Sequence, residues 1–243
     1  MNPIAFEIFG VGVRWYGIFI ATGMVLGTIL AIKESKRVGF DEEELINMLL
    51  FAIPMAIVGA RLYYVIFQWD YYQGDIMKMI NIRSGGLAIH GGIIGSVLTA
   101  IIFCKVRGIS FWKVADITAP SIILGQAIGR WGNFVNQEAY GRETDLPWAI
   151  TVEGVNVHPT FLYESIWNVL VFIFLLWYRK NKKEVEGEVF LLYLAFYSVG
   201  RFFIEGLRTD SLMYGPFRVA QLISIGLIVV SLGVFFVKRK RKM

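Results

Sequence analysis

Seven stretches of this sequence are apolar for about the thickness of a bilayer, and no other feature restricts the fold so strongly. They run from Trp15 to Ile32, Leu45 to Phe67, Gly85 to Cys104, Val114 to Phe134, Phe161 to Tyr178, Val189 to Ile204 and Val219 to Val237. A helix crosses the hydrocarbon in roughly 17–25 residues. The sixth run reaches that length only if Gly206 and Leu207 extend it. Composition closes the soluble alternative. Of 243 residues, 56% are hydrophobic and 18% charged, and the mean hydropathy is +0.57. A chain of this size cannot hide that much apolar surface in one core. The expectation is an all-α integral membrane protein of about seven transmembrane helices, forming one domain over residues 1–243.

The basic residues set the orientation. Lys33, Lys36 and Arg37 follow the first run, and Lys105, Arg107 and Lys113 the third. Arg179, Lys180, Lys182 and Lys183 follow the fifth, and residues 238–242 form a basic tail. Together these are 15 of the 24 Lys and Arg. The alternate loops hold only Arg14, Lys78, Arg83, Arg142, Arg208 and Arg218. Cytoplasmic loops carry the excess of Lys and Arg, so the N-terminus is expected outside and the C-terminus in the cytoplasm. This clustering between apolar runs also argues against nucleic acid as the partner of the +5 net charge. Residues 1–13 contain no Lys or Arg, so they lack the basic start of a cleavable signal. Cys104 is the only cysteine and His90 and His158 the only histidines, which excludes an intrachain disulfide and a cysteine or histidine metal cluster.

Ionisable groups at membrane depth are costly, and they mark function unless they are paired. Arg61 sits late in the second run, as a structural arginine or as an anion clamp. The third run opens Ser84-Gly85-Gly86-Leu87-Ala88-Ile89-His90-Gly91-Gly92. Four glycines there point to a bend or a close approach, and imidazole as a class suits a general base. The fourth run ends Gly129-Arg130-Trp131-Gly132-Asn133-Phe134-Val135-Asn136-Gln137-Glu138-Ala139-Tyr140-Gly141. Its amides can bind ester or phosphate oxygens, and its arginine carries a planar fork suited to phosphate. Glu138 could be the counter-charge. An outer loop over about 135–160 then leads to Glu164, a buried carboxylate in need of an arginine. Arg201, Glu205 and Arg208 are spaced to share one helix face, with Tyr197 one turn inward. In the expected topology His90, Arg130, Glu164 and Arg201 all fall in the outer part of the bilayer. A membrane enzyme accounts for this better than a transporter of anionic solutes, whose polar residues should line a whole pathway, or a purely structural protein.

These motifs resemble the prolipoprotein diacylglyceryl transferase family over nearly the whole chain. The pattern GRxGNFxNxExxG is intact from Gly129 to Gly141. His-Gly-Gly stands at His90, and Arg201, Glu205 and Arg208 match the late arginine–glutamate stretch. Trp15-Tyr16-Gly17 and the block of His158, Pro159, Tyr163 and Glu164 also fit. One segment departs: the family's GGRLGY is Gly59-Ala60-Arg61-Leu62-Tyr63-Tyr64 here. The resemblance implies an enzyme of the bacterial cytoplasmic membrane, its active site facing the outer leaflet. It implies transfer of a diacylglyceryl group from phosphatidylglycerol to the lipobox cysteine of a prolipoprotein, with no metal or organic cofactor. His90, Arg130, Arg201 and Tyr197 are then the expected catalytic residues. Tyr16, Arg61, Asn133, Asn136, Glu138, Gly141, Glu164, Glu205 and Arg208 are the expected substrate-binding set.

Overall fold

A computed structural model describes residues 2–82 and 85–242. Arg83 and Ser84, named above, lie outside the described residues. The chain opens with a hairpin, β1 (Ile4–Ile8) and β2 (Val11–Arg14), followed by helix α1 (Trp15–Arg37). Helix α2 (Glu42–Phe67), the short helices α3 (Trp69–Tyr72) and α4 (Ile76–Ile80), and α5 (Ile89–Arg107) come next. Helix α6 (Phe111–Asn136) leads into the hairpin β3 (Ile150–Val152) and β4 (Val155–Val157), then α7 (Thr160–Asn181) and α8 (Glu188–Glu205). A last hairpin, β5 (Met213–Tyr214) and β6 (Phe217–Arg218), precedes α9 (Val219–Lys240). Each hairpin is an antiparallel pair.

Every apolar run has become a long helix. Helices α1, α2, α5, α7 and α9 are long and apolar enough to cross a membrane. Helices α6 and α8 carry the charged residues Asp116, Arg130, Glu188, Arg201 and Glu205 instead. Large side chains such as Leu50, Ile66, Ile102, Val229 and Phe236 are more than half exposed on their helices, as lipid-facing residues are. The third run is corrected at its start. Gly85 and Gly86 adopt left-handed backbone angles in a loop, and the helix begins at Ile89.

The chain divides into two compact units, one of Glu34–Val114 and the other of the segments on either side. The smaller unit is built on α2 and α5, whose backbones meet at Gly59, Gly91 and Gly95. A Cβ on Gly59 or Gly91 would fall within van der Waals radii of the other's carbonyl oxygen, and one on Gly95 would strike that of Met55. Small residues four apart allow helices to approach this closely. Ala60 and Tyr63 fit beside this seam: Tyr63 stacks on Phe67 at 4.5 Å.

In the larger unit, Gly23 and Gly27 lie four residues apart on α1. They set α1 against α6, with ideal Cβ positions 3.1 Å from Gly125 Cα and 3.2 Å from the Ser121 carbonyl. Helix α8 packs on both α7 and α9. Its N-terminus is capped from another helix. Asp116 of α6 accepts hydrogen bonds from the Gly187 and Phe190 amides, at 2.7 and 3.0 Å, and pairs with Lys183 at 2.8 Å. The fully buried Glu188 accepts from the Tyr178 hydroxyl at 3.0 Å and pairs with Arg239 at 3.2 Å. The first amides of a helix have no partner within it, and a buried carboxylate needs such partners. Each requirement answers the other, fixing α6, α7, α8 and α9 at one end.

Candidate active site

The opposite end of the larger unit holds a second ionic cluster, centred on Glu164. This residue lies in the second turn of α7, and its side chain is only 5% exposed. Its Oε2 is 2.6 Å from Arg130 Nε on α6, and its Oε1 is 2.8 Å from Arg201 Nη1 on α8. Arg208 Nη1 approaches the same Oε1 at 3.7 Å. Arg201 reaches Glu205 at 2.6 Å, one turn along α8. Arg208 forms a two-pronged pair with Asp210, at 2.9 and 2.7 Å. Three guanidiniums thus face three carboxylates. The carboxylate at the centre is buried, while Arg130 and Arg201 remain 22% and 21% exposed. The cations lie on the open side and their counter-charge lies behind them. In a low-dielectric setting a buried carboxylate needs such partners, and once paired it fixes the planes of the guanidiniums that hold it.

Arg130 uses Nε on Glu164 and directs Nη1 at Asn133 Oδ1 at 3.4 Å. Among the described residues its Nη2 has no partner, so one edge of the fork is open to an oxyanion. The motif that follows α6 turns sharply. Gln137 and Ala139 take left-handed angles, at φ 53° and 58°, a strained state for non-glycine residues that recurs at functional sites. The turn brings Glu138 back to accept from Asn133 at 2.9 Å and Asn136 at 3.3 Å. The expectation that Glu138 holds an arginine is therefore corrected: it orders the two amides. Gly141 lies between two strands of backbone. Its amide donates to the His158 carbonyl at 3.0 Å, and it bridges to Arg208. A Cβ there would sit 2.7 Å from His158 Cβ and 3.1 Å from the Leu207 carbonyl, so only glycine fits. Gly132 has the same requirement against the ring of Tyr16, which it brings to the side of α6.

One further expectation is corrected in detail. Arg201 and Glu205 do share a helix face, but α8 ends at Glu205, and Arg208 follows in a turn. Its position is set instead by Arg218, which donates to the Glu205 and Arg208 carbonyls at 2.8 and 2.6 Å. The loop before α7 is tied to that helix: Tyr163 OH accepts from Trp148 Nε1 at 2.8 Å and lies 3.2 Å from His158 Nδ1. Outside the membrane-spanning segments, the hydrogen bond from Arg208 holds the Asp210 carboxyl below the usual carboxylate range. That shift favours the charged form.

Arg61 and His90 belong to the smaller unit. Arg61 is buried, and four of its five N–H donors go to backbone carbonyls: Nε to Met79 at 2.8 Å, Nη1 to Gly85 and Gly86 at 2.9 Å each, and Nη2 to Lys78 at 2.6 Å. Its guanidinium lies over the Tyr72 ring at 4.9 Å. The expected substrate contact gives way to a structural one, because the fork is already occupied in holding the loop before α5. His90, the second residue of α5, is exposed, with its ring 6.0 Å from that of Tyr63.

Sequence reasoning missed Asp210, Asn168 and Ser198. Asn168 and Ser198 lie one turn further into the helices than Glu164 and Arg201, and both are almost fully buried. A narrow crevice between α7 and α8 is lined by Glu164, Asn168, Tyr197 and Arg201. Tyr197 also stands beside Tyr193, ring to ring at 6.0 Å, and Tyr193 OH accepts from Gln126 at 3.1 Å. The available signal for Asn168 was an amide four residues after Glu164 inside an apolar run.

The family model for prolipoprotein diacylglyceryl transferase matches residues 3–237. A Clostridioides difficile protein is 54% identical over 243 residues, covering 100% of this chain and 98% of its own length. A Finegoldia magna protein is 52% identical over 229 residues, 94% of this chain and 92% of its own. A Bacillus cereus protein is 54% identical over 99% of this chain and 93% of its own length. All three carry the name phosphatidylglycerol–prolipoprotein diacylglyceryl transferase.

Proposed function

Because the chain belongs to the prolipoprotein diacylglyceryl transferase family, we propose that the Glu164 cluster is where its reaction takes place. The enzyme transfers the diacylglyceryl group of phosphatidylglycerol to a prolipoprotein, the first step of bacterial lipoprotein maturation. The acceptor in this reading is the thiol of the lipobox cysteine. Its sulfur attacks the glycerol carbon that bears the phosphate, a C–S bond forms, and the C–O bond breaks. Glycerol 1-phosphate leaves with the electron pair. No metal or organic cofactor enters.

The observation that carries this reading is one buried carboxylate holding two arginines from different helices with their outer sides open. Arg130 and Arg201 take the donor phosphate, and Arg208 adds charge behind them. Such donors accelerate the step most where charge grows on the departing phosphate. Asn133 and Asn136, ordered by Glu138, orient the headgroup, and Tyr16 and Gly141 shape its surroundings. Glu164 and Glu205 position the arginines. A thiol is mostly protonated at neutral pH, so its proton must go to a base. The sequence nominates His90 first and Tyr197 second. The full topology in this reading is seven spans, with the N-terminus outside and the cluster at the outer leaflet of the cytoplasmic membrane. The distribution of Lys and Arg supports it.

The test uses purified protein in phosphatidylglycerol vesicles with a lipobox peptide, read by mass spectrometry. A mass gain of one diacylglyceryl group, absent when the peptide cysteine is serine, is expected. Folded protein that produces no such gain would overturn the assignment and return anionic-solute transport as the reading to test.

A further inference from the structure

Resting on that reading, we infer that Arg61 is the positioning residue for His90: its guanidinium fastens the segment that carries the imidazole. Arg61 lies six residues before the end of α2 at Phe67, about 9 Å along the helix at about 1.5 Å per residue. Its side chain is buried, and among the described residues no carboxylate pairs with it. A buried cation is costly unless other groups meet it. The carbonyls of Lys78, Met79, Gly85 and Gly86 meet this one, together with the ring of Tyr72.

Those carbonyls belong to the last turn of α4 and to the loop before α5. Gly86 has a φ of 78°, and a Cβ on it would press on Arg61 Nη1 and on the Tyr64 ring. The loop is therefore moulded round the guanidinium. Two residues on, the Ala88 amide donates to the carbonyl of Ala60, the residue before Arg61, at 3.0 Å. Ala88 caps α5, and His90 is the second residue of that helix. The chain has thus come back along α2 to the level of Ala60, and α5 starts inside the span. Non-helical backbone at membrane depth persists only where protein or water satisfies it. Arg61 does this for Gly85 and Gly86, and Ala60 does it for Ala88. On the other side of His90, a Cβ on Gly91 would press on the Gly59 carbonyl and on Tyr63 Cβ. His90 is fixed from both sides while its own side chain stays exposed. A general base must lie within hydrogen-bond reach of its proton, and a misplacement of about 1 Å costs about 100-fold. Arg61 in this way governs the rate through His90, without touching the phosphate.

The experiment compares Arg61→Lys with wild type. Lysine keeps the charge but replaces a planar fork with one point, which does not span four carbonyls. In the peptide assay kcat is expected to fall about 10- to 100-fold, while KM for phosphatidylglycerol stays close to wild type. Gly86→Ala displaces the loop with Arg61 intact. It is expected to give the same split, and it replaces the lysine variant if that one does not insert. The chain has two histidines, so protein made with isotope-labelled histidine gives two imidazole signals in magnetic resonance, and His90→Asn assigns them. Arg61→Lys is expected to move the His90 signal and leave that of His158 in place. A merely structural arginine would leave the His90 signal where it is or move both together, and either result overturns the inference. A raised KM with unchanged kcat overturns it too, because Arg61 would then act on the lipid. Full activity in His90→Asn also overturns it. Wild type that transfers nothing overturns the enzymatic reading itself, whatever the imidazole signals do.

Discussion

Glu164→Gln removes the centre of the ionic cluster while changing almost no volume. The amide keeps one acceptor and turns the other polar atom into a donor. In the wild type, Oε2 meets Arg130 at 2.6 Å and Oε1 meets Arg201 at 2.8 Å. Glutamine can satisfy one arginine through its carbonyl oxygen, but it turns an N–H group towards the other. A charge-assisted hydrogen bond contributes about 1.5–3 kcal/mol. Losing one such bond and weakening the second removes about 2–4 kcal/mol. Because the two guanidiniums come from α6 and α8, the loss falls on their relative placement, which the departing phosphate depends on. If the transition state feels all of it, kcat falls roughly 30- to 1,000-fold at 1.36 kcal/mol per decade. KM for phosphatidylglycerol is expected to change less, since the cluster goes from balanced to one positive charge in excess and still attracts the anion. The peptide assay across lipid fractions separates the two constants, and thermal unfolding in detergent confirms that the variant is folded at the assay temperature. A kcat within threefold of wild type in folded protein would refute the idea that this carboxylate orders the arginines for reaction.

Arg130→Ala is expected to abolish transfer while the protein still inserts, measured as yield in the membrane fraction beside peptide lipidation. Full activity would remove Arg130 from the mechanism. Glu205→Gln frees Arg201 on one side only and should lower kcat by about tenfold, the effect of a single charge-assisted bond at the lower end of its range. Unchanged kinetics would make that pair decorative. His90→Asn should flatten the pH dependence of transfer if the imidazole is the base, and a wild-type profile in the variant would leave Tyr197 as the base. Asp210 gives a stability limb. Its carboxyl is held low by Arg208, so its contribution is complete above the unfolded carboxylate value, about 3.9, and is lost as pH falls through the lower folded value. Asp210→Asn should therefore be less stable than wild type near neutrality, and the two should converge in thermal unfolding as the medium is acidified below about pH 4.

Helix positions were legible because their cause is local. An apolar run bounded by Lys and Arg has few alternatives in a bilayer, and the ends at Trp15, Phe67 and Val219 fall where composition puts them. The hairpins were not legible, because strands of two to five residues leave too little pattern. Charged site residues stood out against an apolar background, but their partners did not. Arg61 and Arg130 are the same residue type late in their runs, yet one has four of its five N–H donors on backbone carbonyls and the other keeps an open edge beside a buried glutamate. Sequence reports that a fork exists. What its N–H groups already hold depends on a loop up to 25 residues away. The same limit governs neutral polar residues more severely. A buried charge must be balanced, so Asp116 and Glu188 at one end of the larger unit and Glu164 and Glu205 at the other each collect a cation. An asparagine or serine in an apolar run can usually be satisfied by its own helix, and Ser224 shows it, donating to the Ala220 carbonyl at 2.7 Å. Asn168 and Ser198 look no different in sequence. They become informative only when their hydrogen bonds are followed and found missing, between two helices clamped together by the charges one turn away.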